Sequence, residues 1–127
     1  MTEIVDKAKE KTYLPFIILD NTTGSVAGFM DLKNIDWNIP KAEVGYFIDR
    51  KYEGKGLSRK AFAVFINQCF IGLGFNKLFL RTHSSNVAAQ RLAETCGFII
   101  EGNLRRDYKT SAGELVDLLY YGKISET

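Results

Sequence analysis

The stretch EVGYFIDRKYEGKGLSRKAF, residues 43–62, decides the fold of this chain. Its first part alternates, with Val44, Tyr46 and Ile48 on one face, and a period of two is typical of a strand. Its last part opens an apolar pattern of helical spacing that covers 57–73. The glycine-rich turn EGKGLS therefore joins a strand directly to the start of a helix.

A glycine-rich turn at the start of a helix is a physical site for an anion. Glycine lets the backbone approach a ligand closely, and the free N–H groups of the first helical turn point towards it. Lys55 adds positive charge, and three further basic residues lie near it in the sequence: Arg50, Lys51 and Arg59. The pattern favours phosphate, with a solvated turn that only caps the helix as the alternative. A Walker loop is excluded because GxxxxGK is missing, and a dinucleotide loop because Arg59 stands where it needs a third glycine.

The rest of the chain supplies the remaining elements of a single domain, residues 1–127. Strands are predicted at 14–19, 25–32, 42–49 and 76–83, a second helix from Asn86 to Gly97, and a terminal hairpin from 98–109 and 114–124. Residues 3–11 are predicted as a short polar helix and 33–41 as a loop. Three antiparallel strands, helix, strand, helix and hairpin make a mixed α/β (α+β) fold.

Composition limits the classes of function. With 127 residues, 46% of them hydrophobic, the chain has enough apolar material for one core, and a net charge of +2 gives no footprint of a nucleic-acid or membrane-surface binder. No apolar run could span a bilayer, and the first residues are too charged for a secretory signal, so we expect a cytoplasmic protein. Cys69 and Cys96 have neither metal-ligand spacing nor a CxxC motif, and are predicted to be reduced, buried thiols rather than a disulfide or a zinc site.

A second stretch, NVAAQRLAETCGFIIEGNLR at 86–105, follows the first after about one helix and one strand. Together the two stretches resemble the GNAT N-acetyltransferase superfamily, and within it the ribosomal-protein N-terminal acetyltransferases, over residues 14–124. The loop of that family reads Gln or Arg, two residues, Gly, one residue, then Gly or Ala. Here this frame is filled by Glu53, Gly54, Lys55, Gly56, Leu57 and Ser58. Gly56 matches, whereas Glu53 and Ser58 depart from the usual residues.

The resemblance implies a GNAT-like, mostly antiparallel sheet of about six strands flanked by two main helices, with acetyl-CoA as co-substrate. Its pantetheine arm would bind the main chain of Tyr46, Phe47 and Ile48 like an added strand. Its pyrophosphate would lie in the loop that starts at Glu53, on the N–H groups of 54–58. Asn86 would hydrogen-bond the pantetheine arm, and a helix N-cap is the equally weighted alternative.

Acetyl transfer to an amine needs a base and a site for the negative charge of the carbonyl oxygen. Glu43 is the candidate base, because several superfamily members keep a glutamate at that position of the strand. A solvated glutamate on the face opposite Tyr46 is the alternative. A strand N–H group near Phe47 or Ile48 would meet the oxyanion.

The chain departs from the family at the group that protonates the leaving thiolate. Members usually have a serine three residues after the asparagine or a tyrosine seven residues after it, and these positions are Ala89 and Ala93 here. The alternatives are solvent or another hydroxyl, with four candidates: Tyr46, Ser84, Ser85 and Tyr108. The single histidine, His83, is expected to be structural.

Superfamily members usually carry a further strand and two helices before the first hairpin, whereas about a dozen residues precede it here. We therefore expect an exposed sheet edge, and either a homodimer or a shortened chain.

The predicted function is acetyl-CoA-dependent transfer of an acetyl group to an amine, either the α-amino group of a protein or a small amine. Two alternatives stay open: a non-catalytic CoA-binding or regulatory module with a degenerate active site, and an interaction domain that has lost the ligand.

Overall fold

The computed structural model describes residues 12–52 and 56–126. The strands are β1 (Leu14–Leu19), β2 (Val26–Asp36), β3 (Lys41–Ile48), β4 (Lys77–His83), β5 (Ile99–Lys109) and β6 (Leu115–Ile124). The helices are α1 (Leu57–Ile71), between β3 and β4, and α2 (Val87–Thr95), between β4 and β5. A short 3-10 turn, Arg50–Tyr52, precedes α1.

All six strands belong to one sheet, in the spatial order β1-β2-β3-β4-β6-β5. Each neighbouring pair is antiparallel except β3 and β4, which run parallel because α1 returns the chain between them. The predicted mixed α/β fold with a mostly antiparallel sheet is therefore confirmed. In the described residues β1 and β5 form the two edges.

Both helices pack on the same face of the sheet. Phe62 and Ile66 of α1 and Ala93 of α2 are buried in one cluster with the apolar residues of the central strands. The strand residues of this cluster include Met30, Leu32, Val44, Leu78, Leu80 and Tyr121. Over the described parts of the chain, neither helix is long and apolar enough to cross a membrane.

The parallel pair β3 and β4 stays in register for only three residue pairs. These pairs are Lys41–Lys77, Ala42–Leu78 and Glu43–Phe79. Beyond them β3 continues alongside β2 as far as Ile48, and β4 continues alongside β6 as far as His83. The two strands therefore diverge after Glu43 and leave a gap in the middle of the sheet.

Strand β2 is longer than predicted, and the loop expected at 33–41 is wrong for its first four residues. The strand continues to Asp36 through a bulge, at which Asn34 adopts a left-handed φ of 51°. Asparagine tolerates this conformation better than most residues. The bulge interrupts the period of two, so the buried residue Ile35 does not stand out as part of a strand in the sequence.

The other predicted strands and helices are present, with boundaries within about two residues of those expected. The helix predicted for 3–11 lies outside the described residues.

Candidate active site

A cavity of about 330 Å³ occupies the gap between β3 and β4. Because successive strand residues point to opposite faces, the diverging strands expose both faces of the sheet to one cavity. From the face that carries the helices it is lined by Val44, Leu80, Thr82, Asn86, Ala89 and Leu92. From the opposite face it is lined by Phe29, Asp31, Lys33, Glu43, Gly45 and Arg81. The cavity therefore joins an apolar half to a charged half.

Glu43 lies where the strands begin to diverge, and it is only 3% exposed. Its Oε1 accepts hydrogen bonds from Arg81 Nη2 at 2.9 Å and from Asn34 Nδ2 at 2.7 Å, and its Oε2 accepts one from Arg81 Nε at 2.9 Å. A buried carboxylate requires such partners. The alternative of a solvated glutamate is therefore wrong, because β4 and the bulge of β2 cover a residue that strand periodicity alone leaves exposed.

Arg81 carries the matching positive charge on the neighbouring strand. Its hydrogen bonds to Glu43 raise the pKa of the guanidinium above its ordinary value, so it stays protonated at physiological pH. Its side chain is 45% exposed, whereas that of Glu43 is 4% exposed. The pair thus fixes a buried negative charge at the cavity wall by means of a cation that water still reaches.

Asp31 is a second carboxylate at this cavity, which the sequence analysis did not identify. It lies on β2 directly opposite Gly45 of β3. Tyr13 donates its hydroxyl to Asp31 Oδ2 at 3.0 Å, and this hydrogen bond raises the pKa of the tyrosine. Asp31 cannot be recognised from the sequence alone, because it reaches the gap only through the register that pairs it with Gly45.

Asn86 connects the cavity to the start of α2. Its Oδ1 accepts a hydrogen bond from the backbone N–H of Ala89 at 3.1 Å. Asn86 is therefore an N-cap, which confirms one of the two predicted roles. The residue also lines the cavity, and its contact with a pantetheine arm stays a prediction.

The structure describes the second half of the glycine-rich loop, Gly56 to Ser58, whereas Glu53, Gly54 and Lys55 lie outside the described residues. Gly56 stands at the N-cap of α1 with a left-handed φ of 73°, and, apart from its chain neighbours, no heavy atom of the described residues lies within 4 Å of where a Cβ would be. As a glycine, Gly56 has no side chain that could cap this end of α1. Gly56 itself therefore leaves the N–H groups of the first turn, from Leu57 and Ser58 onward, to another acceptor, and an anion suits that place.

The three strand residues predicted to bind the pantetheine arm occupy different surroundings. Tyr46 lines the cavity and packs its ring against Phe62 at 5.5 Å. Ile48 is buried in the core, whereas the side chain of Phe47 is 58% exposed on the opposite face and stacks on Phe29. The pantetheine arm is predicted to bind the main chain of these residues, and that part of β3 has no pairing with β4.

Of the four hydroxyl-bearing residues that could protonate the leaving thiolate, one lies at the cavity. Tyr46 lines the cavity, whereas Ser84, Ser85 and Tyr108 are not among its lining residues. His83 stacks on Tyr108 at 4.8 Å, and its Nδ1 lies 2.8 Å from Ser85 Oγ, in keeping with its expected structural role. Ala89 lines the cavity and Ala93 is fully buried. Thr82, which the sequence analysis missed, adds a second hydroxyl-bearing residue to the wall.

A family model described as an acetyltransferase (GNAT) domain matches residues 1–99. The chain belongs to the GNAT acetyltransferase family. The resemblance on the two quoted stretches is thereby confirmed. The Bacillus subtilis protein named "Putative ribosomal N-acetyltransferase YdaF" is 34% identical over 77% of this chain and 53% of its own length. An uncharacterized N-acetyltransferase of Bacillus licheniformis is 30% identical over 84% of this chain and 59% of its own.

Solved structures show the same GNAT fold. A spermidine N-acetyltransferase from Vibrio cholerae superposes with a TM-score of 0.84 over 96% of this chain and 72% of that one, at 24% identity. This GNAT chain spans a little over half the length of the two curated relatives. Both names indicate N-acetylation, and the name of the Bacillus subtilis relative supports the ribosomal-protein branch. The structural neighbour supports the fold alone.

The described residues fit the co-substrate that GNAT enzymes use. A helix start with a glycine at its N-cap, and no described atom beyond the chain neighbours near the Cβ position of that glycine, suits a pyrophosphate. Beyond Glu43, β3 no longer pairs with β4, and the strand side facing β4 suits an extended, amide-containing arm. The start of α1 and this part of β3 both border the face of the sheet that carries the helices.

Proposed function

We propose that this GNAT domain transfers an acetyl group from acetyl-CoA to a primary amine. The gap between β3 and β4 carries the proposal, because one cavity is reached from both faces of the sheet. A donor bound on the helical face and an acceptor bound on the charged face would meet within it. Alignment of two reactants in this way can supply much of the rate enhancement of a transfer reaction.

Acetyl-CoA supplies the activated acyl group when it is bound. In the proposal the loop from Glu53 to Ser58 binds its pyrophosphate, the main chain of Tyr46, Phe47 and Ile48 binds its pantetheine arm, and Asn86 adds a side-chain contact. The amide nitrogen of Asn86 supports that contact, because the cap uses only its oxygen. A backbone N–H near Phe47 or Ile48 would stabilise the developing oxyanion.

Glu43 is the proposed base. Arg81 and Asn34 together donate three hydrogen bonds to its two oxygens. A carboxylate accepts about four, so one position on Oε2 is left for a water molecule that could receive the proton of the amine. An acceptor α-amino group, with a pKa of about 7.7–8.0, asks less of this base than a lysine side chain with a pKa of about 10.4.

The cavity supports Tyr46 as the donor to the leaving thiolate. Tyrosine, with an ordinary pKa of about 10, is a far stronger acid than the threonine hydroxyl of Thr82. Replacing Tyr46 with phenylalanine is expected to lower kcat while leaving the affinity for acetyl-CoA nearly unchanged.

Calorimetric titration of acetyl-CoA into the purified chain tests the donor half of the proposal. We expect binding that Gly56→Glu abolishes, because a carboxylate at the start of α1 repels a pyrophosphate. Gly74→Glu is the matched control, since Gly74 has a φ of 74° and, apart from its chain neighbours, no described heavy atom within 4 Å of its Cβ position. Both variants introduce the same strain and charge, so equal loss of binding in the two would contradict the proposed loop.

A second measurement separates an enzyme from a CoA-binding module. Release of the CoA thiol is followed with spermidine and with short peptides that have a free α-amino group. Release that depends on the amine supports the transferase, whereas binding without release supports the module. An absence of acetyl-CoA binding would favour the interaction domain that has lost its ligand.

A further inference from the structure

Asp31 has a buried oxygen without a hydrogen-bond partner. The residue is 9% exposed, and Oδ1 is the one buried side-chain polar atom in residues 12–52 and 56–126 that no donor reaches. An ionised oxygen in such a place is costly, because burial removes water and nothing replaces it. A buried polar atom of this kind needs an explanation, and a missing ligand is one.

The neighbouring residues keep Asp31 in this position. Tyr13 binds Oδ2 through its hydroxyl, which turns Oδ1 to the other side of the carboxylate. Gly45 stands opposite on β3, and a Cβ at Gly45 would collide with Oδ1. A residue larger than glycine would therefore push the carboxylate away, so the glycine makes room for an oxygen that has no partner.

The two carboxylates at the cavity differ in what already binds them. Glu43 accepts hydrogen bonds at both oxygens from Arg81 and Asn34. Asp31 retains one uncommitted oxygen, and the nearest cation on its own strand is Lys33. Lys33 Nζ lies 3.2 Å from the Cβ position of Gly45, on the same wall of the cavity, yet it donates no hydrogen bond to Asp31 Oδ1.

We propose that Asp31 Oδ1 binds the ammonium group of the amine acceptor. This inference rests on the proposed function, since it names the group that holds the second substrate. A primary ammonium is compact, carries three N–H donors and compensates a buried carboxylate charge. Lys33 lies close enough to compete for the same place, and an incoming ammonium group would displace it towards solvent.

Binding of a small cation tests the site without any need for turnover. n-Butylammonium is titrated into the isotopically labelled chain up to tens of millimolar, and the backbone amide signal of Gly45 is followed by NMR. We expect a saturable shift with n-butylammonium and none with 1-butanol, which has the same shape but no charge. Absence of the shift with n-butylammonium would overturn the inference.

Three variants assign the effect to Asp31. Asp31→Asn keeps the shape and the partner of Tyr13 but removes the charge, and it should weaken n-butylammonium binding about tenfold or more. Asp107→Asn removes a charge from an exposed position on β5 and should leave binding unchanged. Lys33→Gln should strengthen binding, because a competing cation is removed. Equal binding by wild type and Asp31→Asn would refute the assignment.

Stability and co-substrate binding separate this inference from the proposed function. Asp31→Asn should melt at or above the temperature of the wild type, because an unpaired buried charge is gone. Its affinity for acetyl-CoA should equal that of the wild type. Failure of the wild type to bind acetyl-CoA would count against the proposed function, whereas loss of the charge-dependent Gly45 shift counts against Asp31 alone.

Discussion

Arg81 holds both oxygens of Glu43 at 2.9 Å across the point where the two parallel strands part. The bidentate pair ties β4 to β3 just beyond their last backbone pairing, Glu43 with Phe79. The gap between β3 and β4 therefore begins at an ion pair that still connects the two strands. The same contact compensates the charge of Glu43 and positions Arg81 at the cavity wall.

Arg81→Gln should reduce the free energy of unfolding by about 2 kcal/mol. Removal of one partner leaves a buried carboxylate uncompensated, which typically costs about 3–5 kcal/mol, and we expect less because Arg81 is half-exposed and water can replace it. Adding Glu43→Gln should restore part of the loss. Urea unfolding of both single variants and the double variant measures this coupling, and strictly additive losses would contradict it.

Asn86→Asp and Asn86→Ala distinguish the cap from a contact with the co-substrate. Aspartate caps a helix about as well as asparagine, so Asn86→Asp should retain stability, whereas Asn86→Ala should lose about 1 kcal/mol. Both lack the amide N–H donor and should bind acetyl-CoA more weakly if the proposed contact is made. Thermal unfolding and calorimetry on the same samples separate the two effects, and wild-type affinity in Asn86→Asp would leave Asn86 with the cap alone.

The two thiols should differ in reactivity towards iodoacetamide. Cys69 is 1% exposed, and burial raises its pKa to about 12. At pH 8 its thiolate fraction is then roughly a thousandfold lower than that of an ordinary thiol. Cys96 is half-buried, and desolvation also raises its pKa, but water reaches it. Mass spectrometry of the native protein should find Cys96 labelled first and Cys69 only after unfolding. The reverse order would show that α1, which contains Cys69, opens locally.

The hydrogen bond from Tyr13 to Asp31 should make stability depend on alkaline pH. The pKa of Tyr13 is raised in the folded protein, so its contribution is fully present below the ordinary value of 10.0 and is lost as the pH rises through the folded value. Unfolding of wild type and Tyr13→Phe is compared from pH 8 upward. The difference between them should be constant to about pH 10 and then decline, and a difference independent of pH would mean that the hydrogen bond is not formed in solution.

Local sequence determined most of the fold. The alternation of Val44, Tyr46 and Ile48, the glycine before α1 and the asparagine before α2 act over a few residues, so period and capping rules find them. The cap at Asn86 and the start of α1 after Gly56 follow directly from these rules. The homodimer and the cytoplasmic location stay predictions.

Only the tertiary structure decided the chemistry of the cavity. Glu43 reads as a solvated residue in its own strand, and its burial depends on Arg81, which is 38 residues away in the chain. Asp31 reaches the gap because the register of β2 places it against Gly45. Residues that meet across strands leave no pattern in the local sequence, because they are far apart in the chain. Periodicity indicates only the face to which each side chain points, whereas hydrogen bonds and charges depend on distances in space.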